Sequence, residues 1–266
     1  MDKIKLREFG STCVVNKVGR DKNLASCQSR GLPCVQQLPE RKDPLAIVCS
    51  GPSVRFYLDE LRGWPGEIWA INGAYRYLLE HGIVPHGFFG MDPLPGLAPY
   101  VDQAHIRTTF YICSICDPAV FDNLTQFQVQ TWNPDGDGMV YPPDQWTIGG
   151  GTTAVTRAPY LAILQGFRDI TLFGVDSSFE KGEPYCYRHG TYECDIDNVR
   201  LWVAANNEGP FETELGLMKQ VSQLNILRQK FDGKLKFRCG GLLAAFLRAP
   251  VVANDLFEVV KEKDAA

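Results

Sequence analysis

Short uninterrupted apolar runs alternate with amphipathic stretches along most of the chain. The runs are residues 45–50 (LAIVCS), 67–72 (EIWAIN), 86–92 (HGFFGMD), 107–113 (RTTFYIC), 126–132 (QFQVQTW) and 169–176 (DITLFGVD). Between them lie helix-like segments such as 54–63 (VRFYLDELRG), 73–82 (GAYRYLLEHG) and 149–167 (GGGTTAVTRAPYLAILQGF). Brief, fully apolar strands separated by amphipathic helices are what a parallel sheet covered on both faces requires. The pattern therefore predicts an α/β fold with a doubly wound, mainly parallel sheet in three layers. A long periodic helix is predicted near residues 211–229, a short strand at 234–237 (KLKF) and a last helix near 241–247.

Two ends fall outside this rhythm. Residues 1–43 are polar and uneven, with one short strand at most near Cys13, and read as an irregular N-terminal extension. The domain itself spans 44–250, and residues 251–266 read as a C-terminal tail. A polar, aromatic-rich insertion around 185–198 interrupts the domain.

Composition narrows the classes. With 27 Lys plus Arg against 31 Asp plus Glu, the net charge of -4 offers no basic stripe for nucleic acid. No run of 18 apolar residues is present to span a membrane, and the first residues lack the apolar block of an export signal. Nine cysteines without such a signal read as reduced thiols, which places the expectation in the cytoplasm. Self-association into a homo-oligomer is left open. The pair Cys113 and Cys116 has metal-ligand or redox spacing but stands alone, and buried thiols are its default.

In open α/β sheets the ligand lies at the carboxyl ends of the strands, so the turns there carry the candidate chemistry. After the first run, Gly51, Pro52 and Ser53 make either a phosphate-facing helix start or a plain strand-to-helix turn. Asn72 after the second run either caps the next helix or offers its amide to a base or ribose. Gly149, Gly150, Gly151, Thr152 and Thr153 lead straight into a helix and read as a phosphate nest, with a flexible hinge as the alternative. Asp92 and Asp176 both end strands and, if they converge, would hold Mg²⁺ together with substrate phosphates. His189, in YCYRHGTY, is the best placed general acid or base among four histidines. Arg157 and Arg188 are candidate charge neutralisers.

Taken together, IVCSGPSV at 47–54, IWAINGAYRYLLEHGIVPHGFFGMDP at 68–93 and GGGTTAVTRAPYLAILQGFRDITLFGVDSSF at 149–179 resemble the Rossmann-like family named after the archaeal 6-hydroxymethylpterin pyrophosphokinase, MptE-like. The likeness covers about residues 45–247 and leaves 1–43 outside. It implies a nucleotide-binding domain that moves a diphosphate from ATP to a hydroxymethyl group with Mg²⁺. Gly51, Pro52, Ser53 and Gly149 to Thr153 would then be phosphate-side loops, and Asp92 and Asp176 the acidic strand ends. A weaker resemblance is to the bacterial sialyltransferases that use CMP-sialic acid. It implies that Asn72 holds the nucleotide and His189 acts as the base. The expected function is a nucleotide-binding transferase, a pyrophosphokinase-like diphosphotransferase acting on a small hydroxylated substrate. The alternatives are a CMP-sugar glycosyltransferase and a non-catalytic nucleotide- or sugar-binding accessory protein.

Overall fold

The computed structural model describes residues 2–5, 15–136, 138–183, 185–187, 200–248 and 256–260. The chain opens with strand β1 (Asp2–Lys5) and helix α1 (Lys17–Ser29). The sheet-building part then runs β2 (Leu45–Val48), a 3-10 turn over Pro52–Tyr57, α2 (Leu58–Arg62), β3 (Glu67–Ile71), α3 (Ala74–Glu80) and β4 (Gly87–Gly90). A second 3-10 segment (Pro95–Val101) leads to β5 (Thr109–Cys113), α4 (Pro118–Asp122), β6 (Gln128–Pro134) and β7 (Thr147–Ile148). Helix α5 (Ala154–Leu164) returns the chain to β8 (Ile170–Phe173). After β9 (Leu201–Ala205) and β10 (Glu208–Thr213) come α6 (Leu215–Lys230), β11 (Leu235–Arg238), α7 (Gly241–Arg248) and β12 (Leu256–Val260).

Eight strands form one sheet in the order β11-β8-β2-β3-β4-β5-β6-β7, and every neighbouring pair is parallel. Strands β2, β4 and β8 are buried along their whole length, the consequence of helices on both faces. The core packs Trp132 against Phe89 in a stacked pair and sets Trp69 edge-on to Phe167. From β2 the chain steps outward through β3, β4, β5 and β6, then α5 carries it back past its starting point to β8. Right-handed crossovers in opposite directions put α5 and α6 on one face and α2, α3 and α4 on the other. The reversal lies between β2 and β8, so their carboxyl ends form the topological switch point.

Several elements depart from the sequence expectation. Within residues 1–43 the structure holds helix α1, where the hydrophobic pattern predicts none. Its apolar signal is faint because Leu24 and Cys27 are its buried residues, and its start is fixed instead by Asn16, whose side chain accepts from the Gly19 N–H. The irregular remainder of that extension is sewn to the domain. Val35 N–H donates to Thr131 O, Thr131 N–H to Pro33 O, Leu38 N–H to Leu164 O and Arg41 N–H to Gly166 O. The long helix begins at Leu215, and Phe211 belongs to β10. Strand β12 lies in the stretch that reads as a tail and pairs with β1 and β9 in a second, antiparallel sheet ordered β1-β12-β9-β10. That sheet joins the two ends of the chain, a pairing no local pattern encodes. Among the described residues no helix is long and apolar enough to cross a membrane.

Candidate functional site

The switch point is built around Asp176, which follows β8 and is buried. One carboxylate oxygen accepts the Ser53 backbone N–H at 2.6 Å. The other accepts the Ser53 hydroxyl and, at 2.7 Å, the Gly240 N–H. Gly51 N–H donates to Gly174 O at 2.8 Å, and a Cβ on Gly51 would stand 2.4 Å from that same oxygen. Gly51 is thus required by backbone approaching backbone. The two Ser53 donors, which a phosphate-facing turn would offer to a ligand, are given to Asp176. Pro52 is buried at the first position of the 3-10 turn. Asp176 is a clasp that ties together the turns after β2, β8 and β11.

Asp92 follows β4, three strand positions from β8, which separates the two strand ends by about 14 Å. Its Oδ1 accepts the Leu94 N–H at 2.9 Å. The structure does not bring Asp92 and Asp176 together, and among the described residues no group of three or more His, Cys, Asp or Glu is placed to hold a metal ion. The paired-carboxylate magnesium site therefore does not fit these residues: both Asp176 oxygens already face donors, and the second carboxylate stands elsewhere.

The glycine loop is held differently. Thr153 stands before α5, where its N–H donates to Thr156 Oγ1. Thr152 N–H donates to Gln223 Oε1 at 3.1 Å, and Gln220 Nε2 donates to Thr153 Oγ1 at 3.2 Å. Ser177, after β8, donates its hydroxyl to Gln220 Oε1. A hydrogen-bonded rim thus runs from the end of β7, through the loop and α6, to the end of β8. Gly150 has φ 122°, a left-handed conformation that favours glycine. Beneath the loop lies Arg157, buried, with Nε donating to Gly151 O at 3.0 Å, Nη1 to Ile148 O at 2.6 Å and Nη2 to Asp135 O at 3.1 Å. Its partners are all carbonyls, and among the described residues no carboxylate pairs with it. The backbone N–H groups of Gly149, Gly150 and Gly151 donate to no described residue. A buried cation, open N–H groups and the start of an 11-residue helix all favour an anion at the same place.

Around the ends of β3, β4 and β5 the chemistry is one of oxygen acceptors. Asn72 has φ 47° and does not cap α3, whose N-cap is Gly73 with no side-chain bond. Its Oδ1 is buried with no hydrogen-bond partner among the described residues, and so is the Ser114 hydroxyl after β5. Ser114 and Asp92 each stand two residues beyond the paired Gly90 and Ile112, at equal height on neighbouring strands. Substitution of Ser114 by alanine is expected to raise the thermal midpoint by about 2 °C, because alanine removes an unpaired buried hydroxyl. Differential scanning fluorimetry reads this directly, and a fall would reveal a partner for that hydroxyl.

Tyr187 covers β3. A Cβ on Gly73 would meet its hydroxyl at 1.7 Å, so the phenol lies directly on bare backbone. That hydroxyl is hydrogen-bonded to the side chains of Ser50 and Tyr100, and burial pushes both phenols well above their ordinary pKa. Three thiols stand near Asp176. Burial pushes Cys186 and Cys239 up to about 12 and Cys49 higher still, so all three are protonated at neutral pH. Cys113 and Cys116 are buried thiols. His189 and Arg188 lie outside the described residues.

Sequence reasoning missed Gln220, Gln223 and Ser114. Gln220 left one legible trace, an amide at a buried position of α6 among Met218, Val221 and Leu224.

The sequence profile described as 6-hydroxymethylpterin diphosphokinase MptE-like matches residues 21–182. The chain belongs to this MptE-like family. The match begins inside the N-terminal extension, which the quoted motifs leave outside the family, and stops before β9. It contains the Gly51 turn, the Asp92 turn, the glycine loop and Asp176. No curated protein sequence matches the chain. Among solved structures, that of the MAf glycosyltransferase from Magnetospirillum magneticum AMB-1 superposes with a TM-score of 0.61 at 18% identity. The likeness covers 93% of this chain and 41% of that one, and is one of fold. For this MptE-like chain it extends the likeness of fold beyond residue 182.

Proposed function

We propose that this MptE-like chain is a transferase that binds a nucleotide or nucleotide-activated donor along the carboxyl edge, with phosphate on the Gly149–Gly151 loop. The observation that carries it is Arg157, a buried guanidinium without a carboxylate partner among the described residues, set beneath N–H groups that donate to none of them. Fixed donors and a buried positive charge stabilise charge that develops on a departing phosphate without reorganisation during the reaction. The acceptor-rich ends of β3 to β5 suit hydroxyls or ring N–H groups and disfavour phosphate, which orients the donor with its phosphates toward the loop.

The diphosphokinase for which the family is named and the glycosyltransferase that shares the fold have one element in common, the transfer of a group. The pyrophosphokinase-like reading has the closer support, since it comes with the family. The glycosyltransferase reading rests on likeness of fold. Metal dependence separates the two, because diphosphotransfer from ATP relies on Mg²⁺ to neutralise charge on the phosphates.

Thermal-shift measurements with ATP, GTP, CTP and CMP, each with and without Mg²⁺, test the proposal. At one hundred times the dissociation constant a bound nucleotide stabilises by about 2.7 kcal/mol. A shift with ATP that needs Mg²⁺ supports diphosphotransfer, and one with CMP alone supports glycosyl transfer. No shift with any of them at millimolar concentration sinks the nucleotide-binding reading.

A further inference from the structure

Resting on that reading, we infer that Tyr187 occupies, in the free protein, the subsite that takes the ligand's planar ring, and that ligand binding displaces it. The subsite is the surface over Gly73, at the carboxyl end of β3 and beside the switch point. Ligands of this architecture bind along that edge. Four observations support the assignment. The phenol sits on a residue with no side chain, with its hydroxyl 1.7 Å from where a Cβ would stand, so the chain leaves a flat face bare at this point. The adjoining walls are aromatic: Tyr185 stacks on Tyr187 at 5.6 Å and 8°, and Tyr100 meets it edge-on at 6.5 Å. Next to Gly73, the Asn72 Oδ1 is buried with no partner among the described residues, an acceptor that an amino N–H on a ring would fill. Finally, identified bonds hold the cover to the turn after β2 and to the second 3-10 segment. The Cys186 N–H donates to Ser50 O at 2.8 Å, and the Tyr187 hydroxyl bonds Ser50 and Tyr100.

The ligand class is a planar heteroaromatic ring that carries an N–H donor. It would slot between Tyr100 and Tyr185, stack in the place of the phenol and donate to Asn72. A closed state held by the Tyr187 hydroxyl lowers apparent affinity by the fraction of molecules that are open. Weakening the closed state must then tighten binding, whereas a tyrosine that only contacts the bound ligand would show the reverse.

Tyr187→Phe keeps the ring and removes both hydroxyl bonds. Association of CMP and ATP is measured by stopped flow, alongside amide hydrogen exchange at Cys186. In the free variant, Cys186 is expected to exchange faster than in the wild type, with the thermal midpoint slightly lowered. Whichever nucleotide binds is expected to associate about tenfold faster and bind about tenfold tighter, the factor two modest hydrogen bonds supply. Ser50→Ala, which removes one of the two bonds by another route, should move the rates in the same direction by less. Equal or slower association by Tyr187→Phe overturns the inference while leaving nucleotide binding in place. Unchanged Cys186 exchange overturns it without reference to any ligand. If neither wild type nor variant binds a nucleotide, the reading of the site falls and this inference falls with it.

Discussion

Asp176→Ala is expected to lower stability by at least about 3 kcal/mol, a fall in thermal midpoint on the order of 10 °C. The carboxylate is buried and serves three donors, the Ser53 N–H, the Ser53 hydroxyl and the Gly240 N–H. Alanine leaves the two backbone donors in a closed crevice without their acceptor, and each unpaired buried group costs about 1–3 kcal/mol. Asp176→Asn should fall roughly midway, since one oxygen remains while the amide NH₂ opposes a donor. The same substitution in a metal ligand would abolish ion binding and leave folding intact, which is what the sequence alone leads one to expect of Asp176. Urea unfolding monitored by tryptophan fluorescence distinguishes the two. A midpoint for Asp176→Ala within error of the wild type would show that the carboxylate is no clasp.

Arg157 carries the second large effect, and it divides between stability and binding. Arg157→Ala deletes three charge-assisted bonds to the carbonyls of Asp135, Ile148 and Gly151 and empties a buried volume at the start of α5. A loss of roughly 3 kcal/mol is expected, since bonds to charged groups contribute about 1.5–3 kcal/mol each and the site relaxes in part. Arg157→Lys retains the charge but lacks the planar fork, so it cannot serve three carbonyls in different directions. It is expected to fold with a midpoint between the two and to weaken nucleotide binding about tenfold or more, because the glycine loop loses its fixed shape. Isothermal titration with the nucleotide found by thermal shift reads the affinity. Binding by Arg157→Lys equal to the wild type would place the phosphate elsewhere on the sheet edge.

The two residues show how differently the site is written in the sequence. Gly51 and Ser53 are legible as a turn after a buried strand, and Asp176 as an acidic strand end. That they serve one another is a fact of the β2–β8 neighbourhood, 123 residues apart in the chain for Ser53 and Asp176. The glycine loop is legible as a place where backbone must be exposed or closely approached. The cation beneath it comes from the first turn of the following helix, where the sequence marks Arg157 only as one candidate charge. Ser114 stands inside a motif that draws attention to its cysteines. That its hydroxyl has no partner among the described residues is a property of burial, which no residue type announces.

By itself the sequence determined the class of fold, the order of the six central strands along the chain and the turns at which chemistry is concentrated. Hydrophobic periodicity and glycine placement are local signals, set by which faces a segment must bury and where its backbone must bend. Only the tertiary structure decided which of those turns meet. It closed the Ser53 and Asp176 turns upon each other, kept Asp92 three strands away, laid Tyr187 on Gly73 and joined β1 to β12 across the whole chain. These are contacts between residues far apart in sequence, fixed by strand order and crossover handedness, and a polar side chain's partner depends on them and not on its neighbours in the chain.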